Sequence, residues 1–150
     1  MSSNTAYAES QKTEKSEKPE SQEKSKFFNL DINGIGYLNR VREVTPDQGS
    51  PFLSVTIAAL RGPVDNVQHT HFDCVVVGEA AKDLSRQLKL AVDGDLKVLV
   101  GFSLSDLQAE TFTFKQGERA GDTGINLKSR LLRFQWIKVE GKPYDIPKAS

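Results

Sequence analysis

After residue 27 apolar and polar residues alternate along most of the chain with a period of two, the spacing of half-buried strands. Phe28, Leu30 and Ile32 share one face of an extended segment that continues past Gly34 and Gly36 through residues 37–44. Glycine inside a strand marks a bulge or a bend, which a small closed sheet needs at its corners. Thr45-Pro46-Asp47-Gln48-Gly49-Ser50 has the chemistry of a turn. In a second strand Leu53, Val55, Ile57 and Ala59 alternate with Ser54, Thr56 and Ala58, and Arg61-Gly62-Pro63 ends it. A third puts Thr70, Phe72, Cys74 and Val76 on one face. The period then changes. Ala81, Leu84, Leu88 and Ala91 form a helical stripe, predicting a helix over 79–92 between Gly78 and the natural stop at Gly94. Glu79 and Asp83 near its start and Lys89 near its end suit the helix dipole.

Beyond the helix, residues 97–104 alternate again, 111–115 extend, and 117–124 form a glycine-rich charged loop. The last strand, 125–139, slips in its alternation at Leu131-Leu132, which reads as a bulge. Lys128 and Arg130 share a face before the slip, and Arg133 and Gln135 resume it afterwards. Trp136 follows Phe134 and is assigned with it to the core; Phe28, Phe72 and Phe102 are core by parity. The class is therefore all-β with one helix. Three strands, a helix and two strands match a five-stranded Greek-key barrel of the oligonucleotide-binding (OB) type, with its helix between strands three and four. An α+β sandwich fits the same pattern. The predicted organisation is a polar tail over 1–26, an OB domain over 27–142 and a flexible C-terminus over 143–150.

Composition supports this division. Residues 1–26 contain no Leu, Ile, Val, Phe or Trp, and five Lys balance five Glu there. Such a segment cannot bury enough apolar surface to offset its ordering entropy, so disorder is expected. It resembles neither a secretory signal nor a transit peptide, and no apolar run is long enough to span a membrane, which points to the cytoplasm. Twenty basic residues balance twenty acidic ones, so any phosphate contact must come from a local patch. Cys74 is the only cysteine and reads as a small buried residue rather than a nucleophile. His69 and His71 lack a third ligand, so neither a metal nor a cofactor is expected. Gly34-x-Gly36 lacks a third glycine at Asn39, no glycine precedes Lys128 as a phosphate loop requires, and no nucleophile elbow occurs. Binding, not catalysis, is the expectation.

A family resemblance adds context. Residues 72–84, Phe-Asp-Cys-Val-Val-Val-Gly-Glu-Ala-Ala-Lys-Asp-Leu, and 92–104, Val-Asp-Gly-Asp-Leu-Lys-Val-Leu-Val-Gly-Phe-Ser-Leu, resemble bacterial single-stranded DNA-binding proteins. Residues 34–46 resemble their first strand and turn. Residues 27–140 resemble more closely a family of replication-associated proteins carried on integrative and conjugative elements. The landmarks are Gly-Tyr-Leu-Asn-Arg at 36–40, Pro-Phe-Leu at 51–53, Phe-Asp-Cys at 72–74 and Arg-Leu-Leu at 130–132. The resemblance implies an OB fold, single-stranded DNA as ligand, replication or conjugation proteins as partners, and a homodimer or homotetramer. The chain departs from the DNA-binding proteins in carrying His71 and Val77 where aromatics stack bases, and in ending without an acidic tip.

Binding a single strand without sequence preference needs cations along the phosphates and aromatic faces for the bases. The cationic candidates are Arg40 and Arg42 on strand one and Lys128, Arg130 and Arg133 on strand five, each pair spaced for one face. Lys115 and Arg119 suit a flexible clamp in the loop between strands four and five. Tyr37, Phe52, Phe112 and Phe114 are the stacking candidates, and His71 is a further contact. The competing interpretation is an OB protein-interaction module that has lost its nucleic-acid face.

Overall fold

In the computed structural model, which describes residues 28–147, period-two alternation becomes six strands and the apolar stripe becomes one helix. They run β1 (Asp31–Val44), β2 (Phe52–Arg61), β3 (Gln68–Val76), α1 (Glu79–Asp93), β4 (Val98–Thr113), β5 (Thr123–Val139) and β6 (Lys142–Tyr144). A 3-10 turn, Val64–Asn66, lies between β2 and β3. The class is mostly β with a single helix.

The sheet order is β3-β2-β1-β4-β5-β6, with neighbours antiparallel. An additional pairing closes it: residues 73–76 of β3 run parallel to residues 128–131 of β5. Five strands thus form a ring, and β6 adds to β5. Side chains at alternate positions fill the interior, where Leu38, Val55, Ile57, Cys74, Phe102 and Leu131 are almost fully buried. α1 packs mainly on β1 and β5 and presents Ala81, Leu84 and Leu88 to the core.

The pattern located most elements to within a residue or two, and the differences have identifiable causes. Residues 97–104 and 111–115 are not separate segments. β4 is a single sixteen-residue strand, interrupted by an irregularity between Ser105 and Gln108 that absorbs Asp106 at φ 59°. The flexible end expected from residue 143 begins instead as strand. Pro143 and Tyr144 pair with β5, Tyr144 and Ile146 pack on the core, and the Tyr144 hydroxyl donates to Gln87 Oε1 at 2.6 Å. A three-residue strand holding a proline gives no alternation to read, and proline is tolerated at such an edge. Phe28 lies before β1 and is 74% exposed, so its parity did not make it core. The tail over 1–26 and the last three residues lie outside the described residues.

Ser85 is fully buried on α1, and its Oγ has no hydrogen-bond partner among the described residues. An unsatisfied buried hydroxyl costs about 1–3 kcal/mol, and alanine is the better helix former. Ser85→Ala should therefore raise unfolding stability by about 1 kcal/mol in urea titration. A loss of stability would mean the hydroxyl is satisfied by internal water.

Candidate nucleic-acid interface

The register of the ring decides which candidates meet. Arg42 on β1 stands opposite Ser54 on β2, Ser54 opposite Val75 on β3, and Val75 beside Arg130 on β5. The next row runs Asn39, Thr56, Asp73 and Lys128. Arg42, Lys128 and Arg130 are thus outward and exposed on one wall, with half-buried Phe52 at its edge opposite Val44 and exposed His71 one row beyond Asp73. Lys128 Nζ is bound to Glu110 at 2.7 Å, whereas Arg42 and Arg130 make no ion pair with any described residue. Asp73 accepts from the Thr56 hydroxyl at 3.1 Å and keeps one acid on the wall.

Arg40 does not align with Arg42 as the spacing implied. The β1–β2 register shifts between Asn39 and Val41, leaving Arg40 as the extra residue of a bulge at φ 44°. A non-glycine residue seldom adopts that left-handed conformation. Asn39 and Arg42 take the regular outward positions instead.

Phe112 and Phe114 do share a side, near the end of the β4–β5 hairpin. Their centroids are 4.8 Å apart at 62°, and the Arg119 guanidinium lies 4.3 Å from the Phe114 centroid. Gly124, opposite Phe112, makes room for the ring: a Cβ there would fall inside it. Phe112 stays 37% exposed, while Phe114 is half-buried with the Phe112 ring and the Arg119 guanidinium packed against it. The connecting turn is tied by backbone hydrogen bonds, Phe114 N to Asp122 O and Gly121 N to Phe114 O among them, so Arg119 is held rather than loose. Lys115 is exposed beside it. The tip stands about 13 Å along the strand from Lys128, four residues at the rise of a strand.

β5 carries the feature the pattern missed. Its pairing with β4 skips Leu132 and then Gln135. The first bulge is the one the sequence announced, and it turns Arg133 outward and Phe134 inward. The second restores the original parity, so Trp136 faces outward and Ile137 lies in the core. Trp136 is therefore not core. Its ring covers Gly101 on β4, where a Cβ would sit 2.5 Å from Nε1. Around it on the outer surface are Ile35, Tyr37 and Leu99, and Lys138 Nζ lies 5.8 Å from the ring centroid. Trp136-Ile137, like Leu131-Leu132, is a pair of adjacent apolar residues on a half-buried strand, and that is the signal that could have found it. Gln135 is fixed outside by donating to Ser103 Oγ at 3.0 Å and Asn33 Oδ1 at 3.2 Å. Arg133 stands opposite Ser103, exposed and without an ion pair among the described residues.

Cys74 is buried at the β3–β5 seam, with Sγ 3.4 Å from Ser129 Oγ. Burial pushes its thiol up to about 11, against a lowering by the Ser129 hydrogen bond, with Asp73 adding to the rise. It is a protonated structural group at neutral pH.

The fold and surface define a small, mostly-β protein with one helix and a partly cationic outer wall beside an aromatic hairpin. The chain belongs to the family described as "Protein of unknown function (DUF3577)", which it matches over residues 21–150. No curated protein and no solved structure matches it. No helix among the described residues is long and apolar enough to cross a membrane.

Two predictions follow from this geometry. Gly101→Ala should expel the indole, seen as a red shift and stronger acrylamide quenching of the sole tryptophan; an unmoved spectrum would place the ring elsewhere. The second concerns Cys74. An unfolded thiol ionises near 9.0 and the folded one near 11, so its contribution to stability is intact below pH 9 and is lost as pH rises towards 11. Over that range the wild type should lose up to about 3 kcal/mol more than Cys74→Ala, measured by urea unfolding. Parallel losses in both proteins would contradict the assignment.

Proposed function

We propose that this protein binds single-stranded DNA on the outer wall of an OB-type Greek-key barrel and works by binding rather than catalysis. Support for the fold comes from a ring with β1 between β2 and β4, a parallel β3–β5 seam, and the helix between β3 and β4. The observation that carries the function is the outward placement of Arg42, Arg130 and Arg133 without ion pairs among the described residues, the last two on the strand that leads to a hairpin bearing Phe112 and Phe114. Cations track phosphates there, and exposed rings stack bases. With the resemblance to replication-associated proteins of conjugative elements, the role is in replication or transfer of a mobile element. The setting is the cytoplasm, the assembly a dimer or tetramer, and the partners replication or conjugation proteins.

The outer face of β2, with Ser54, Thr56 and Ala58 and no cation before Arg61, favours a second reading, a protein-interaction barrel. Fluorescence polarisation with labelled poly-dT separates the two. Binding should weaken with salt at a slope of roughly −0.7 per neutralised phosphate. Arg130→Ala with Arg133→Ala should flatten that slope by about 1.4. An unchanged slope would remove both residues from the site, and no binding at low salt would favour the interaction barrel.

A further inference from the structure

β5 runs from the aromatic hairpin to the far end of the ring, and its outward side is unusual along its whole length. Because two bulges reset the parity, the outward residues from Lys128 onward are Lys128, Arg130, Arg133, the bulge residue Gln135, Trp136 and Lys138. Four cations and one aromatic thus follow a single strand. The outward positions of β2 and β3 are different: Ser54, Thr56, Ala58, His71, Asp73 and Val75 include no lysine or arginine. A polyanion crossing β2 and β3, the face OB barrels commonly use, would meet an acid and small neutral groups. One lying along β5 would meet Arg130, Arg133 and Lys138, which make no ion pair among the described residues, and Lys128, which is paired with Glu110.

The end of β5 offers a place for bases. Gly101 supports one side of the Trp136 ring, and the Lys138 ammonium is loosely held 5.8 Å from the centroid. Beside it two shallow clefts of about 290 and 280 Å³ share Tyr37 and Lys97 as lining residues. The first also holds Leu99 and Lys138. Each cleft also carries one acid: Glu140 in the first, which accepts from the Lys97 amide at 2.6 Å, and Asp95 in the second. Ile35, next to this belt, is 45% exposed. Flat apolar surface flanked by two lysines is what a stacked base with its phosphates requires.

We infer that the single strand lies along β5, from the Phe112/Phe114 hairpin to a second stacking platform made by Trp136 and Tyr37, with Lys138 and Lys97 holding the phosphates there. This rests on the proposed single-strand binding and extends it to a face where no candidate except Tyr37 had been placed. In that state Lys138 leaves the indole for a phosphate, and a base takes its place over the ring.

The sole tryptophan supplies the test in the full-length protein without any substitution. Labelled oligo-dT is titrated while polarisation and Trp136 emission are recorded together. Emission should be quenched in step with polarisation and saturate at the same stoichiometry. Trp136→Ala should weaken binding roughly 5- to 150-fold, the equivalent of one base stack, while Trp136→Phe retains most of the affinity. Lys138→Ala should reduce the salt slope by about 0.7. Circular dichroism confirms that each variant is folded. A rise in polarisation with unchanged emission would show that the strand does not reach Trp136, overturning the track while leaving binding at Arg130 intact. Absence of binding at low salt would overturn both proposals. If Trp136→Ala changes the sedimentation coefficient and leaves DNA affinity untouched, the belt is an interface between copies, and the inference fails.

Discussion

A four-residue seam holds the architecture together. Residues 73–76 and 128–131 are the only parallel pairing among the described strands, and they join the two ends of an otherwise open antiparallel sheet. Parallel neighbours need a long crossover, supplied here by α1 and β4. The Val77 amide continues the seam by donating to the Leu131 carbonyl at 3.0 Å. Closure removes two edges that would otherwise template association. It also makes neighbours of residues more than fifty positions apart. Without it residues 128–131 would lie at a sheet edge, and the row from Arg42 through Ser54 and Val75 would stop short of Arg130. A slip of one residue would exchange the buried Ser129 and Leu131 for Arg130 at the core face, so the seam fixes the fold and the charge pattern together.

The second constraint is the length of β5. A seventeen-residue strand wrapped around a small ring cannot stay regular, because the twist of the sheet accumulates along it. Bulges at Leu132 and Gln135 take up the curvature. Their separation has a chemical consequence. Between them the parity is inverted, so Phe134 is buried and Arg133 is not. Strict alternation from Leu131 would have placed Arg133 and Gln135 inside, and an unpaired buried guanidinium costs far more than two irregularities. Beyond the second bulge the original parity returns, putting Trp136 on the surface over Gly101.

Much of the fold was legible because it follows from burial on one face. The periods of β2, β3 and α1 are clean, and their buried residues are those the spacing selected: Leu53, Val55, Ile57, Phe72, Cys74, Val76, Ala81, Leu84 and Leu88. Legibility failed where that rule does not apply. The outer half of β4, from Gln108 to Thr113, is exposed on both faces, so nothing in its composition joins it to the strand before it. β6 is too short to have a period. Arg40 and Arg42 are separated by the spacing of one face, but Arg40 is itself a left-handed bulge residue, and no glycine or asparagine at that position marks it. For the candidate site, outward placement of Arg42, Lys128, Arg130 and Arg133 was readable strand by strand. The alignment of Arg42 with Arg130 through Ser54, Val75 and the seam was not, because parallel pairing leaves no mark in either strand alone.

Formal neutrality conceals how the charges are distributed. On α1 and its neighbours the cations are compensated: Lys82 with Glu79, Arg86 with Glu43 and Asp83, and Lys89 with Asp93. These pairs are solvent-exposed and add little stability, but each cancels a charge within a few ångströms. Arg42, Arg130, Arg133 and Lys138 have no such partner among the described residues, and of the outward β5 cations only Lys128 is compensated, by Glu110. At physiological salt the field of a distant acid is largely screened beyond about 8 Å. The outer side of β5 therefore presents its own charge to an approaching polyanion, not the average over the chain. The pairing on the helix and the largely unpaired row on β5 together show how a chain with equal numbers of acids and bases carries local positive charge, the balancing acids lying elsewhere.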